Sequence, residues 1–290
     1  IGSTLEGLDV QQFPYEYILE KAWNLAKTDE QVVGELADRH AGKVSRPVRE
    51  AWQLLYDKVL DITPYNFAAP LPCSYPEFGK ESRKIKYNPS ELLAVWDLLL
   101  QQGDVTTDAM TIDLVWIGRQ LLGDLFLVEK QKLDKAFEQK DKNAFYRQSD
   151  VLFEILSDLD NLGSHHPHAM LDTWLQQARE LGSTPALKDY YEMNARRLIT
   201  TWGGHLNDYA CRNWNGLVWD YYVKLWEIYI RELTVGIISG HDLDETKMRS
   251  AMDKFQERWV TSTEAPICGS SDHDILTYCR QLREKYRDRF

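Results

Sequence analysis

Between Thr106 and about Gln139 the sequence is apolar on several faces of the helix it would form. Ile112, Val115, Trp116, Leu121, Leu122, Leu125 and Phe126 do not fall on one stripe. A helix of that kind is buried among other helices. This one segment points to an architecture in which helices pack around one another, and the rest of the chain fits it. Thr28, followed by Asp29, Glu30 and Gln31, has the form of a capping box, and Gly42 closes the turn after His40. Asn88-Pro89 offers an N-cap and a proline at the first helical position. Leu92, Trp96, Leu99 and Leu100 then recur at helical spacing before Gly103. A first helix is predicted near Pro14, and later ones near 141–161, 168–181, 185–201, 207–235, 243–259 and 272–288. No stretch shows convincing strand alternation. The fold class is all-α, an array of roughly ten antiparallel helices joined by short loops.

One region interrupts the pattern. Residues 62–87 contain Pro64, Pro70, Pro72 and Pro76, with Pro89 just beyond, and cannot be helical throughout. Long loops of this kind are functional or mobile. Tyr65, Phe67, Tyr75, Phe78 and Tyr87 predict that this one packs on the helices. There is no internal repeat of fixed period.

Charge and composition narrow the classes of function. With 290 residues and 43% hydrophobic content the chain is globular, large enough for one large domain or two ordinary ones. A net charge of −11 argues against a nucleic-acid partner. No apolar run is long enough for a membrane span, so no membrane insertion is expected. The first residues show no charged stretch followed by an apolar one, and no leader is expected in them. Cys73, Cys211, Cys268 and Cys279 lack metal-site spacing and leave both readings open, buried thiols or one disulfide.

Two stretches carry candidate chemistry. "GSHHPHAM" sets His165, His166 and His168 close together. Metal ligands on a helix want i, i+4 spacing or a neighbouring carboxylate, so a polar inter-helix loop with Pro167 opening the next helix is the better reading. No metal or other cofactor is expected. "TTWGGHLNDYACRNWNG" places Trp202 and Tyr209 on either side of a Gly-Gly break. Such a pair can form a sugar-stacking platform, because the C–H faces of a pyranose are apolar. It can equally be a tight helix–helix turn. Trp214, Val218, Tyr221, Leu225 and Ile228, at helical spacing, read as core. Phosphate-binding glycine loops and the G-x-S-x-G elbow are absent.

The segments "STLEGLDVQQFPYEYILEKAW", "MLDTWLQQARELG", "YYEMNARRLITTWGG" and "LNDYACRNWNGLVWDYYVKLW" together resemble glycoside hydrolase family 89, the alpha-N-acetylglucosaminidases. They stand in the family's order and close to its spacing. The resemblance runs from about Gly2 to the C-terminus and is weakest after Gly236. It implies that residues 1–13 are a remnant of a (β/α)8-type catalytic barrel and residues 14–290 a C-terminal all-helical domain.

By that resemblance Glu6, in the "EG" segment, is the nucleophile of a retaining mechanism; without it, Glu6 reads as a surface residue. The end of a barrel strand is where such barrels carry catalysis, and Gly7 lets the chain turn away after it. A retaining glycosidase needs two carboxyl groups about 5–5.5 Å apart. The family's acid/base residue lies earlier in the barrel and has no counterpart in this chain.

The resemblance also places Trp202 and Tyr209 beside the barrel mouth as substrate-lining residues, with His205 a further candidate. The loop after Trp202 is shorter than in the animal members and lacks their proline. Lys224 and Leu225 stand where a Pro-Arg pair is frequent, so a rim of different shape is expected, and Asn207 reads equally well as an N-cap. The expected function is the C-terminal portion of an exo-acting enzyme that releases terminal alpha-linked N-acetylglucosamine, inactive alone. Its partners would be such a glycan and the enzyme's own N-terminal and barrel domains. Family habit suggests an extracytoplasmic location. The alternatives are a non-catalytic glycan-binding module and an interaction domain of stacked helices.

Overall fold

The computed structural model describes residues 12–60, 71–79, 85–203 and 208–290, and the described residues form eleven α-helices with no β-strand. The chain divides into two compact units. The first comprises residues 1–67, 84–121 and 271–290, and the second 68–83 and 122–270. No helix among the described residues is long and apolar enough to cross a membrane.

The first unit holds α1 (Phe13–Trp23), α2 (Asp29–Ala41), α3 (Arg46–Leu54), α4 (Pro89–Leu99) and α11 (Ile275–Lys285). It also holds the start of α5 (Asp108–Glu138), since the division falls inside that helix. The capping box at Thr28 is present. The hydroxyl accepts the Gln31 N–H, and the Gln31 side chain accepts the Thr28 N–H. Gly42 ends α2 in the left-handed region at φ 68°, where a Cβ would stand 2.7 Å from Thr107 Cγ2, so a side chain fails there on both counts. Val32, Val33, Leu36 and Ala37 make the buried face of α2. Asn88 caps α4 at the Ser90 N–H, with Pro89 at the first position. The carbonyls just past the end of α4 are taken by Arg280 of α11, which donates to Leu100 O and Gln102 O. Arg283 of the same helix pairs with Asp97 at 2.7 Å.

The first unit also contains a buried ionic relay. His40, 2% exposed, meets Asp113 of α5 through Nδ1 at 2.7 Å and Glu16 of α1 through Nε2 at 3.3 Å. Its ring stands edge-on to Trp52, 4.9 Å between centroids. Burial pulls the imidazolium down, but the Asp113 and Glu16 hydrogen bonds overcome that and push it up to about 9.

The second unit holds the remainder of α5 with α6 (Lys142–Gly163), α7 (Leu171–Glu180), α8 (Pro185–Leu198), α9 (Val223–Ser239) and α10 (Glu245–Thr261). Its organising residue is Asp160 on α6, 1% exposed. The carboxylate accepts N–H bonds from Gly216, Trp219 and Gly269, and one from the Asn215 amide. Burial outweighs these donors and pushes the carboxyl up to about 6.

Two predicted helices are corrected here. The sequence-derived helix over 207–235 is helical only beyond Leu217, through a π-helical turn, Val218–Tyr222, that runs into α9. Asn215 is held extended: its N–H donates to Ala169 O and its O accepts from Leu171 N, a parallel bridge with Met170. Gly216 follows at φ 81°. The same bridge delays α7 to Leu171 and leaves Pro167–Ala169 as a separate 3-10 turn. The other predicted helices lie within a few residues of their spans, whereas α3 (Arg46–Leu54) has no counterpart among the sequence expectations. Of the aromatic and aliphatic residues read as core, Trp214, Val218, Tyr221 and Leu225 are buried.

The described part of the proline-rich segment packs as expected. Pro72, Cys73, Ser74 and Pro76 are buried, and the Trp226 indole donates to Pro72 O at 2.9 Å. Phe78 meets Phe137 edge-on at 5.3 Å. No disulfide links the four cysteines, and Cys73, Cys211 and Cys279 are buried. In the histidine stretch, His166 Nδ1 accepts the His168 N–H and caps the 3-10 turn, while His165 Nδ1 approaches Leu162 O at 3.1 Å. Among the described residues no three His, Cys, Asp or Glu side chains converge as a metal site.

Candidate functional site

The aromatic turn grows out of the end of α8. Thr184 and Pro185 start that helix, the hydroxyl accepting the Leu187 N–H. Near its other end Arg196, 1% exposed, is held by Glu192 and by the Glu264 carbonyl, and its guanidinium lies 4.7 Å over the Trp259 ring. The last turn is therefore rigid where the chain leaves it. Thr200 and Trp202 both donate their N–H to Arg197 O, at 3.2 and 2.8 Å. Trp202 has φ 47° and Asp208 φ 64°, two left-handed residues bracketing the turn. For a residue as bulky as tryptophan that conformation is strained, and such strain concentrates at functional sites. The Asp208 N–H donates back to Thr200 O at 2.8 Å and closes the loop.

Trp202 and Tyr209 come together. Their ring centroids are 5.0 Å apart at an interplanar angle of 55°, and both side chains are half-buried. The pair is thus one composite aromatic wall and not two separate plates. Trp202 also lines a groove of ≈ 680 Å³ between α7 and α8 with Trp174, Tyr191, Asn194 and Arg197. That volume lies within the range of small-ligand sites, about 300–1,000 Å³. The Trp174 indole is turned away from solvent work by its bond to Ala195 O at 3.0 Å, so in this groove it acts as an apolar surface. Glu6, His205 and Asn207 lie outside the described residues.

A residue that sequence reasoning did not single out holds the turn in place. Asp208, 8% exposed, accepts the Tyr75 backbone N–H through Oδ2 and the Tyr222 hydroxyl through Oδ1 at 3.1 Å. Tyr75 belongs to the strap 71–79, and its hydroxyl donates to Asp253 at 3.0 Å. Burial raises the Tyr75 and Tyr222 phenols well above the ordinary tyrosine range, so both remain donors. Locally an aspartate in a turn reads as a cap, and nothing nearby in sequence announces the strap that meets it.

Comparison with known proteins places this fold. The alpha-N-acetylglucosaminidase (NAGLU) C-terminal domain family model matches residues 33–285. The alpha-N-acetylglucosaminidase of Homo sapiens is 26% identical over 277 residues, which is 91% of this chain and 37% of that protein. A family 89 glycoside hydrolase from Clostridium perfringens, in complex with 2-acetamido-1,2-dideoxynojirmycin, superposes with a TM-score of 0.84 at 24% identity, over 95% of this chain and 34% of its own. A variant of the enzyme from the same organism, in complex with its substrate GlcNAc-alpha-1,4-galactose, gives a TM-score of 0.83 at 24% identity, over 96% and 34%. The chain thus spans little more than a third of the length of these relatives. With the family model spanning most of the sequence, and the same helical fold in the solved relatives, the chain belongs to the alpha-N-acetylglucosaminidase C-terminal domain family.

Proposed function

We propose that this chain is the C-terminal part of a retaining exo-glycosidase that hydrolyses terminal alpha-linked N-acetylglucosamine, and that it closes one side of the sugar pocket. The observation that carries the reading is the Trp202–Tyr209 wall, 5.0 Å between rings, on a strained turn braced by buried partners in a chain of this family. The relatives' names and the substrate bound by one of them support the choice of sugar. An indole and a phenol offer an apolar face to the pyranose C–H bonds, while Asn194 and Arg197 in the adjoining groove offer polar groups to hydroxyls beyond it.

In this reading Glu6 is the nucleophile. Its carboxylate attacks the anomeric carbon as the glycosidic bond breaks. The leaving oxygen takes a proton from an acid outside this chain. Water then cleaves the glycosyl ester, giving its proton to the same outside group, and the alpha configuration is restored. The chain alone lacks that second carboxyl group and does not turn over.

The test uses the full-length enzyme. Glu6→Gly should nearly abolish turnover and, with an activated aryl alpha-glycoside and azide, give the beta-glycosyl azide by one inversion. An alpha azide, or full activity, overturns the assignment of Glu6. Trp202→Ala should lower kcat/KM by about 1–3 kcal/mol of transition-state binding. An unchanged kcat/KM in the folded variant returns the aromatic turn to a purely structural role, as would be expected of an interaction domain.

A further inference from the structure

We propose that Asp208 is the positioning residue of the glycan site: its buried carboxylate clamps the aromatic turn between the strap 71–79 and Tyr222, and so sets where Trp202 and Tyr209 stand. The inference rests on the reading of those two aromatics as substrate-lining. It deepens that reading by naming what fixes them.

Three features of the structure carry it. The first is convergence. A short carboxylate gathers a backbone N–H from Tyr75, 133 residues earlier, and a phenol from Tyr222 on the π-helical turn before α9. Residues from three separate stretches of the second unit therefore meet at one side chain, directly before Tyr209 in sequence.

The second is anchorage. The strap is itself immobilised on the far side of that bond. Trp226 holds Pro72 O, and the Tyr75 hydroxyl donates to Asp253 Oδ1 and to Arg249 O at 3.2 Å. The Arg249 guanidinium lies 5.9 Å over the Tyr75 ring and pairs with Glu77 at 3.1 Å. Tyr222 is fully buried. The donors that reach Asp208 thus come from fixed supports, and the carboxylate transmits their position to the turn.

The third is the backbone. Asp208 and Trp202 both occupy the left-handed region, at φ 64° and 47°. Left to itself a tryptophan leaves that region, because its Cβ crowds the following carbonyl. An aspartate tolerates it better. Its N–H bond to Thr200 O spans the loop, so holding Asp208 also holds the Trp202 end. Without the side-chain bonds the turn can relax, and the wall of two rings tilted at 55° is lost before the fold is.

The consequence for substrate follows from aromatic stacking, which tolerates little displacement, since misplacing a binding group by an ångström can cost a hundredfold. Asp208→Asn keeps the shape but leaves one donor facing an NH₂ group. Tyr222→Phe removes one donor and leaves the Tyr75 bond.

The experiment is a double-mutant cycle in the full-length enzyme with an aryl alpha-N-acetylglucosaminide, each variant first shown to be folded by its thermal transition. Asp208→Asn should lower kcat/KM by about tenfold, mostly through KM, and Tyr222→Phe by a smaller factor in the same sense. On a Trp202→Ala background the effect of Asp208→Asn should shrink, because one of the two rings it positions is gone. A merely structural aspartate would give the same factor on both backgrounds, and that additivity overturns the proposal. If Trp202→Ala alone changes nothing, the reading of the aromatic wall fails, and the proposal falls with it for a separately visible reason. If Asp208→Asn does not fold, Tyr222→Phe carries the same cycle: non-additivity with Trp202→Ala supports the clamp, and additivity or no effect overturns it.

Discussion

Removing the proton from His40 should loosen the first unit at alkaline pH. The imidazolium sits between Asp113 at 2.7 Å and Glu16 at 3.3 Å, and it titrates near 9 in the folded chain against an ordinary 6.5. The folded state therefore keeps a proton that the unfolded chain gives up between those values. The stabilisation is complete below about pH 6.5 and is lost as the pH rises through about 9. At 1.36 kcal/mol per unit the full span is about 3 kcal/mol. That is a large share of the marginal stability of a domain.

Loss of the charge also leaves the Asp113 carboxylate, 3% exposed, without a cation. The assay is equilibrium urea unfolding across about pH 6–10, followed by far-UV circular dichroism. The reference is His40→Gln combined with Asp113→Asn, which keeps hydrogen-bonding shape and removes both titrations. The native chain should lose about 3 kcal/mol more than the reference over that range. Parallel curves would refute the reasoning, because they would mean that His40 is already neutral in the fold or equally charged in the unfolded chain.

Gly42→Ala should destabilise the first unit by at least about 1–2 kcal/mol, the cost of a left-handed alanine, with more from the Cβ contact on Thr107; a thermal midpoint no lower than the native one would contradict the helix-end geometry. Trp226→Phe should cost about 1–3 kcal/mol through the abandoned Pro72 carbonyl alone. Limited proteolysis should then cut first within the strap 71–79, and an unchanged cutting order would separate the strap from that bond.

Local chemistry was legible in the sequence. Thr28 with Gln31, Gly42, and Asn88 with Pro89 announce their helix ends because each cap is made by residues within four positions. The apolar surround of α5 and the packing of the strap followed from composition and aromatic content. What was not legible depends on distant partners. The helix expected over 207–235 fails at Asn215 because that amide serves Asp160, 55 residues earlier, and its backbone pairs with Met170. His40 stands in the sequence only as a residue before the Gly42 turn, and only the fold reveals Asp113, 73 residues away, behind it. The candidate site divides the same way. Trp202 and Tyr209 can be singled out as candidates from their types and their loop, whereas the bonds of Asp208 to Tyr75 and Tyr222 have no signal adjacent to it in sequence.

The interleaving of the two units dictates an order of assembly during synthesis. The strap that opens the second unit waits for Trp226, 154 residues later, which at about 5–20 residues per second is a delay of about 8–30 s. The Asp160 carboxylate waits for Gly269, 109 residues after it. The first unit waits longer still, because its α4 is closed by Arg283, 186 residues beyond Asp97. The unit whose residues leave the ribosome first is therefore the last to finish. A nascent chain therefore carries unsealed apolar helices from both units until Arg283 has emerged.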